Sequence, residues 1–254
     1  MLEQLSRTAL LLGEDALDKL GAAHVAVFGI GGVGGYAVEA LVRCGVGAID
    51  LVDDDRVGIS NLNRQIVATH SALGRYKVDV MAERVHDINP TCRVNARKCF
   101  YLPATADQFD FSQYDYVLDA VDTVTAKLQL IERANESGTP IISSMGAANK
   151  LDPTAFRVAD IYETRICPLA RIIRKECRKR GIKHLKVVYS EEEPRERFGG
   201  TNLADIRAEA GTTDDGGHRV ARAGIPGSVS FVPPAAGLAM AAEVVRDLIA
   251  DLIE

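Results

Sequence analysis

Short apolar runs alternate with amphipathic stretches along most of this chain, and the alternation sets the expected fold. His24–Gly29 (HVAVFG) is a continuous apolar run ending in glycine, the pattern of a strand buried on both faces of a parallel sheet. The glycine-rich turn after it leads into a helix with Val33, Ala37, Leu41 and Cys44 at helical spacing. A second strand, Ala48–Asp53, comes at once. Strand, glycine turn, helix and strand make one βαβ unit of a doubly wound sheet. The same rhythm predicts helices over Lys77–Ile88 and Ala126–Ser137, and strands over Arg93–Phe100, Tyr114–Asp122 and Pro140–Ser144. The fold class is therefore α/β, with a doubly wound, Rossmann-like, mainly parallel sheet.

Beyond Asn149 the pattern changes. Thr154–Glu163 alternates like an antiparallel strand, and Lys186–Ser190 reads as another strand. Between them Ile166, Leu169, Ile173 and Cys177 stripe one face of a helix whose other faces are basic. These elements predict an antiparallel C-terminal extension. Residues 191–227 are long, charged and glycine-rich, as expected of a flexible loop that orders on a partner. GSVSF then reads as a strand, Pro233-Pro234 as a break, and the rest as a long amphipathic helix. The first twenty residues read as a surface helix without a cleavage-like signal.

Composition narrows the class. The 254 residues are 47% apolar and 26% charged, as in soluble globular proteins. No apolar run approaches the ~20 residues of a membrane helix, so a cytoplasmic protein without a membrane span is expected. Five cysteines lie scattered without a CxxC pair, which indicates neither a zinc site nor a disulfide framework. A net charge of −5 argues against a DNA-coating surface. Yet residues 165–186 carry nine Lys/Arg against one acid, Glu176, and Arg171, Arg174, Lys175, Arg178 and Lys179 belong to the basic helix.

The candidate chemistry begins at Gly29, Gly31, Gly32 and Gly34, on the first strand-to-helix turn. Glycines let the backbone approach a phosphate, and the helix N-terminus offers free N–H groups. Asp53, ending the second strand, can hold ribose hydroxyls. These residues alone signal a nucleotide or dinucleotide, and a tight turn with Asp53 capping a loop would look the same. The residues after Asp53 are more discriminating: Asn61, Arg64 and Gln65 crowd beside it, Lys77 opens a helix, and Asp122 ends a strand. Arg64 and Lys77 would neutralise phosphate oxygens and Asp122 would hold Mg²⁺, a site for ATP attacked at its α-phosphate.

In these motifs the chain resembles the ThiF-like adenylation domain of the ubiquitin-activating-enzyme superfamily, over about residues 5–150. The resemblance implies ATP and Mg²⁺, with Asp53 on ribose, Asn61, Arg64 and Lys77 on phosphates, and Asp122 on the metal. It also implies a homodimer in which Arg7 reaches the neighbour's ATP site. The expected organisation is a single domain, residues 1–254, with a nucleotide-binding half (1–150) and a substrate-binding half (151–254).

Sulfur-carrier members of the superfamily typically carry two zinc-binding CxxC pairs, which this chain lacks. Its C-terminal half instead looks like the tRNA threonylcarbamoyladenosine dehydratase branch. That resemblance implies adenylation of the threonylcarbamoyl carboxylate on tRNA, followed by ring closure. The basic helix would then contact tRNA by its backbone. Resemblance also extends to a monovalent cation (K⁺ or Na⁺) and a sulfur-relay protein partner, with no ligand cluster to locate the ion. The alternatives are an adenylyltransferase for a Gly-Gly-tailed sulfur carrier, an NAD-binding regulator or oxidoreductase, and a scaffold that has lost its chemistry.

Overall fold

The computed structural model describes residues 3–102, 104–196 and 226–252. Its strands are β1 (His24–Phe28), β2 (Ala48–Val52), β3 (Arg93–Arg97), β4 (Tyr116–Asp119), β5 (Ile141–Ser144), β6 (Phe156–Asp160) and β7 (Lys186–Ser190). They form one sheet among the described residues, in the order β3-β2-β1-β4-β5-β7-β6. Every pairing is parallel except β6 with β7. Chain order reverses at β1, which pairs with β2 on one side and β4 on the other. A reversal of this kind opens a crevice at the strand C-termini.

Both faces of β1 are covered, as its unbroken apolar run predicts. Val25 and Val27 enter one core layer with α2 (Glu14–Ala22), α3 (Gly34–Arg43), α4 (Lys77–Ile88) and α7 (Val232–Leu248). Ala26 and Phe28 point the other way, as the two-residue strand period requires. There Phe28 meets Tyr101 and Phe109 edge-on at centroid distances of 4.9 and 5.4 Å, beside Ala126, Leu130 and Ala134 of α5 (Val124–Ser137). A third layer joins α5 to α6 (Pro168–Lys179) through Ile131, Ile173 and Cys177.

Several elements depart from expectation. The N-terminal helix is two, α1 (Ser6–Leu12) and α2, divided at Gly13, whose φ of +87° suits glycine. Nor is it merely superficial, because Ala16, Leu17 and Leu20 are buried. The strands expected over 93–100 and 114–122 stop at Arg97 and Asp119, which frees residues 120–122 to form the crevice wall. Residues 154–163 form a shorter strand, β6, between two 3₁₀ turns. Ile166 is no part of the α6 stripe; it precedes the helix, half exposed, at φ +65°. Residues 228–231 form no strand, and Pro233-Pro234 do not break a helix. Both prolines sit in the first turn of α7, where a missing N–H costs nothing. Of the loop expected over 191–227, residues 197–225 lie outside the described residues. No helix among the described residues is long and apolar enough to cross a membrane.

Packing of α7 on α3 decides where the C-terminal half meets the crevice. A Cβ at Gly237 would lie 2.2 Å from the Val33 carbonyl oxygen, so glycine is what allows this approach. Gly237→Ala should lower stability by ~1–3 kcal/mol, seen as a lower urea midpoint with an unchanged slope. Gly21→Ala, whose Cβ would meet nothing within 4 Å, should be neutral or stabilising in the same experiment.

Candidate nucleotide and adenylation site

The glycine turn crosses the end of β4 with no room for side chains. Gly29 has φ +90°, and a Cβ there would sit 2.7 Å from the Ala120 carbonyl oxygen. One at Gly34 would lie 1.8 Å from the Gly29 carbonyl oxygen. The Gly29 N–H donates to the Val52 carbonyl at 2.8 Å, which holds the turn level with the end of β2. The N-terminus of α3 therefore opens into the crevice.

Asp53, just past β2, is fixed from two sides. Its Oδ2 accepts the Ile30 N–H at 2.6 Å and its Oδ1 accepts the Asp55 N–H at 2.8 Å. Burial raises the Asp53 carboxyl above the ordinary carboxylate range; Lys77 opposes the rise and Asp55 adds to it. Lys77, the first residue of α4, is 4% exposed. Its Nζ donates to Asp55 Oδ2 at 2.7 Å, and its N–H donates to the Asp55 carbonyl at 3.0 Å. Asp53, Asp54 and Asp55 bring carboxylate oxygens within 4.8 Å of one another. The lysine thus faces a concentrated negative field that phosphates would share.

The loop over residues 58–65 is tied by Asn61. Its Oδ1 accepts the Gly58 N–H at 3.0 Å, and its carbonyl accepts from the N–H groups of Arg64 and Gln65. Arg64 Nη1 donates to the Ser60 carbonyl and to Asn63 Oδ1, each at 2.9 Å. Partial burial lowers the Arg64 pKa from its usual value. Gln65 is 7% exposed, and its Oε1 is buried with no hydrogen-bond partner among the described residues. An orphaned buried acceptor costs ~1–3 kcal/mol, a cost that a ligand donor would relieve. Tight glycines, a held carboxylate, a buried lysine, a half-buried arginine and this orphan fit a phosphate-bearing nucleotide.

Asp122 is exposed beyond β4, where its Oδ1 accepts from Thr123 Oγ1 at 3.3 Å. Beneath it lies a cluster that sequence reasoning missed. Asp119 Oδ2 accepts from Lys127 Nζ at 2.9 Å and from Ser143 Oγ at 2.5 Å, all three side chains being fully buried. Asp119 Oδ1 takes the Val121 N–H at 3.2 Å, fixing the chain that leads to Asp122. The signal was a lysine among the apolar positions of α5, eight residues after a strand-ending aspartate.

The remaining predicted residues are not gathered here. Arg7 is exposed on α1. Leu5, just before α1, abuts Gly45 beyond the C-terminus of α3, a helix length (~15 Å) from the glycine turn. On α6, Arg171, Lys175, Arg178 and Lys179 are exposed, but Arg174 turns inward. Its Nη1 donates to the Thr164 carbonyl at 2.5 Å and to Thr164 Oγ1 at 2.8 Å. Lys179 pairs with Glu176 at 2.7 Å, and Arg178 lies 5.4 Å over the Tyr162 ring. Cys167 is buried ahead of α6, as a structural thiol should be. A separate cavity of about 340 Å³, lined by His24, Asp50, Arg93 and Asn95, sits at the opposite, N-terminal end of the strands.

A glycine turn at a sheet switch point, with the Asp53 carboxylate just past β2 and Lys77 beside it, marks a nucleotide site in an α/β protein. The chain belongs to the ThiF family, whose model matches residues 5–251. It is 46% identical over 256 residues to the tRNA threonylcarbamoyladenosine dehydratase of Bacillus subtilis, covering 99% of this chain and 97% of that one. It also superposes, with a TM-score of 0.84 and 32% identity, on E. coli tRNA N6-threonylcarbamoyladenosine dehydratase in complex with ATP, covering 98% and 95% of the two chains. A weaker likeness is to the Aspergillus niger adenylyltransferase and sulfurtransferase uba4, 35% identical over 52% of this chain and 27% of that one.

The buried cluster makes a sharp prediction. Lys127→Met should leave the Asp119 carboxylate buried without its cation and cost ~3–5 kcal/mol in urea unfolding. Asp119→Asn in the same chain should recover part of that loss, and additive losses would show that the two residues do not act as a pair.

Proposed function

We propose that this chain is an ATP-dependent adenylyltransferase that activates the threonylcarbamoyl carboxylate of N6-threonylcarbamoyladenosine in tRNA, leading to its dehydration to the cyclic form. The observation that carries the reading is the full-length likeness to the Bacillus subtilis dehydratase, joined to Arg64, which packs at Gly32 of the glycine turn, and Lys77, which faces Asp53 beneath it. A substrate carboxylate oxygen attacks the α-phosphorus, and the bond to pyrophosphate breaks. Arg64 and Lys77 offset the charge that grows on the departing oxygens, while Asp53 orients the ribose. Asp122 is the residue that would hold Mg²⁺, which would supply positive charge to offset that of the phosphates. The neighbouring carbamoyl then closes on the activated carbonyl, releasing AMP and a proton, so the product is one water lighter. An internal nucleophile benefits from an effective molarity on the order of 10⁵ M or more, and no enzyme cysteine is required.

The exposed cations of α6, with Arg165, form the surface we assign to tRNA phosphates, and Arg174 supports it through Thr164. A homodimer, with Arg7 serving the neighbour's site, is supported by Leu10 and Leu11 beside it on α1, which are 89% and 83% exposed. Cytoplasmic location is in keeping with a tRNA substrate. A sulfur-relay partner and a K⁺ or Na⁺ ion rest on the resemblance alone. The rival reading, activation of a Gly-Gly-tailed sulfur carrier, draws on a likeness to only half of this chain.

The test is AMP release from ATP with and without tRNA bearing threonylcarbamoyladenosine, followed by mass analysis of nucleosides. Release that needs this tRNA and yields a product one water lighter is expected; pyrophosphate exchange with a Gly-Gly-tailed carrier instead would favour the rival. Arg64→Ala and Lys77→Ala should each slow release by ~10²-fold or more, and Asp122→Ala should abolish metal-dependent turnover without unfolding the chain. Separately, Arg171→Glu with Lys175→Glu should weaken tRNA binding and flatten its dependence on salt by about one to two contacts. An unchanged slope would remove α6 from the RNA surface.

A further inference from the structure

Asn63 has no part in the adenylation reading, yet its side chain joins two regions far apart in sequence. Its Oδ1 accepts from Arg64 Nη1 at 2.9 Å, and its Nδ2 donates to the Ser228 carbonyl at 3.0 Å. One residue earlier, Gly227 is clasped by Asn149. The Asn149 N–H donates to the Gly227 carbonyl at 2.8 Å, and the Gly227 N–H donates to Asn149 Oδ1 at 2.7 Å. Asn149 also accepts the Arg195 N–H on its own carbonyl at 2.8 Å. It does so at φ +60°, a left-handed conformation that asparagine tolerates better than most side chains. Next to these bonds the two regions pack directly. A Cβ at Gly32 would lie 3.2 Å from Pro233 Cβ and 3.4 Å from the Arg64 carbonyl oxygen.

We propose that Asn63 and Asn149 are positioning residues, forming one relay that sets the Arg64 guanidinium according to the seating of residues 227–228. The relay rests on the reading of Arg64 as a phosphate-binding cation. An arginine carries about 2 kcal/mol of rotamer entropy, and it assists a transition state best when already held in place. Here a single Nη1 is held by the Ser60 carbonyl and by Asn63 Oδ1. An asparagine amide presents an acceptor at one end and donors at the other. Flipped, Asn63 would set donors against donors at Arg64. The Ser228 carbonyl, by taking Nδ2, decides which end faces the arginine. Asn149 in turn fixes Gly227 and hence Ser228. Arg64 is thereby oriented by a segment of the substrate-binding half.

The experiment compares kcat and KM for ATP in tRNA-dependent AMP release, using Asn63→Ala, Asn149→Gly and the double variant. Glycine adopts φ +60° freely, so Asn149→Gly removes only the Oδ1 acceptor. Asn63→Ala should lower kcat by about 10-fold with KM for ATP within about 3-fold, the mark of a misplaced transition-state group. Asn149→Gly should lower kcat in the same direction by less. The double variant should match Asn63→Ala within about 2-fold, because links of one chain are lost only once. Multiplied losses in the double variant, or single variants matching the parent, would overturn the relay while leaving adenylation intact. A parent that releases no AMP overturns the adenylation reading, and the relay with it. If Asn63→Ala does not fold, Asn63→Ser in its place gives the same comparison.

Discussion

Everything at the candidate site depends on one steric constraint: the glycine turn must pass over the end of β4 at backbone contact. The Cβ distances at Gly29 and Gly34, 2.7 and 1.8 Å to carbonyl oxygens, leave no room for any other residue. Because the turn lies this low, the Ile30 N–H reaches Asp53 and the start of α3 faces the crevice. Raising the turn by one methyl group would misalign the carboxylate, the helix terminus and the wall at residues 120–122 together.

Around that turn, charge is distributed in two ways. Beneath the crevice floor, Asp119 and Lys127 neutralise one another, and Ser143 fills a remaining hydrogen-bonding position. Such a cluster gives little net stability against an apolar replacement, but it fixes the geometry of whatever rests on it. At the crevice itself the balance is incomplete. Asp53 is buried against backbone N–H donors, Gln65 keeps an orphaned acceptor, and Lys77 meets more than one carboxylate. Those residual costs are what a bound nucleotide is suited to offset, whereas the structural cluster has nothing left to offer a ligand.

The C-terminal half is continuous with this arrangement. β7 extends the parallel sheet from β5, β6 closes the edge in the opposite direction, and α7 returns to pack on α3. Two prolines start α7 beside Gly32, so α7 leans on the glycine turn. The residues before and after position 150 thus share a sheet and a helix contact.

By itself the sequence determined the α/β alternation and the glycine turn, and it nominated Asp53, Asn61, Arg64, Gln65, Lys77 and Asp122 as candidates. Those features are local: a two-residue or 3.6-residue period and a glycine spacing are written in neighbouring positions. Strand ends were less legible, because whether 120–122 belong to β4 or to a wall depends on the glycine turn that crosses them. Pro233-Pro234 could end one element or begin the next, and only the packing of α7 on α3 chooses. Arg174 looked like its basic neighbours until Thr164 drew it inward. Asp119 with Lys127, and Asn63 with Ser228, stayed hidden for the same reason. Each pair is joined by burial or by a hydrogen bond between distant segments, and such contacts exist only once the tertiary structure has brought the segments together.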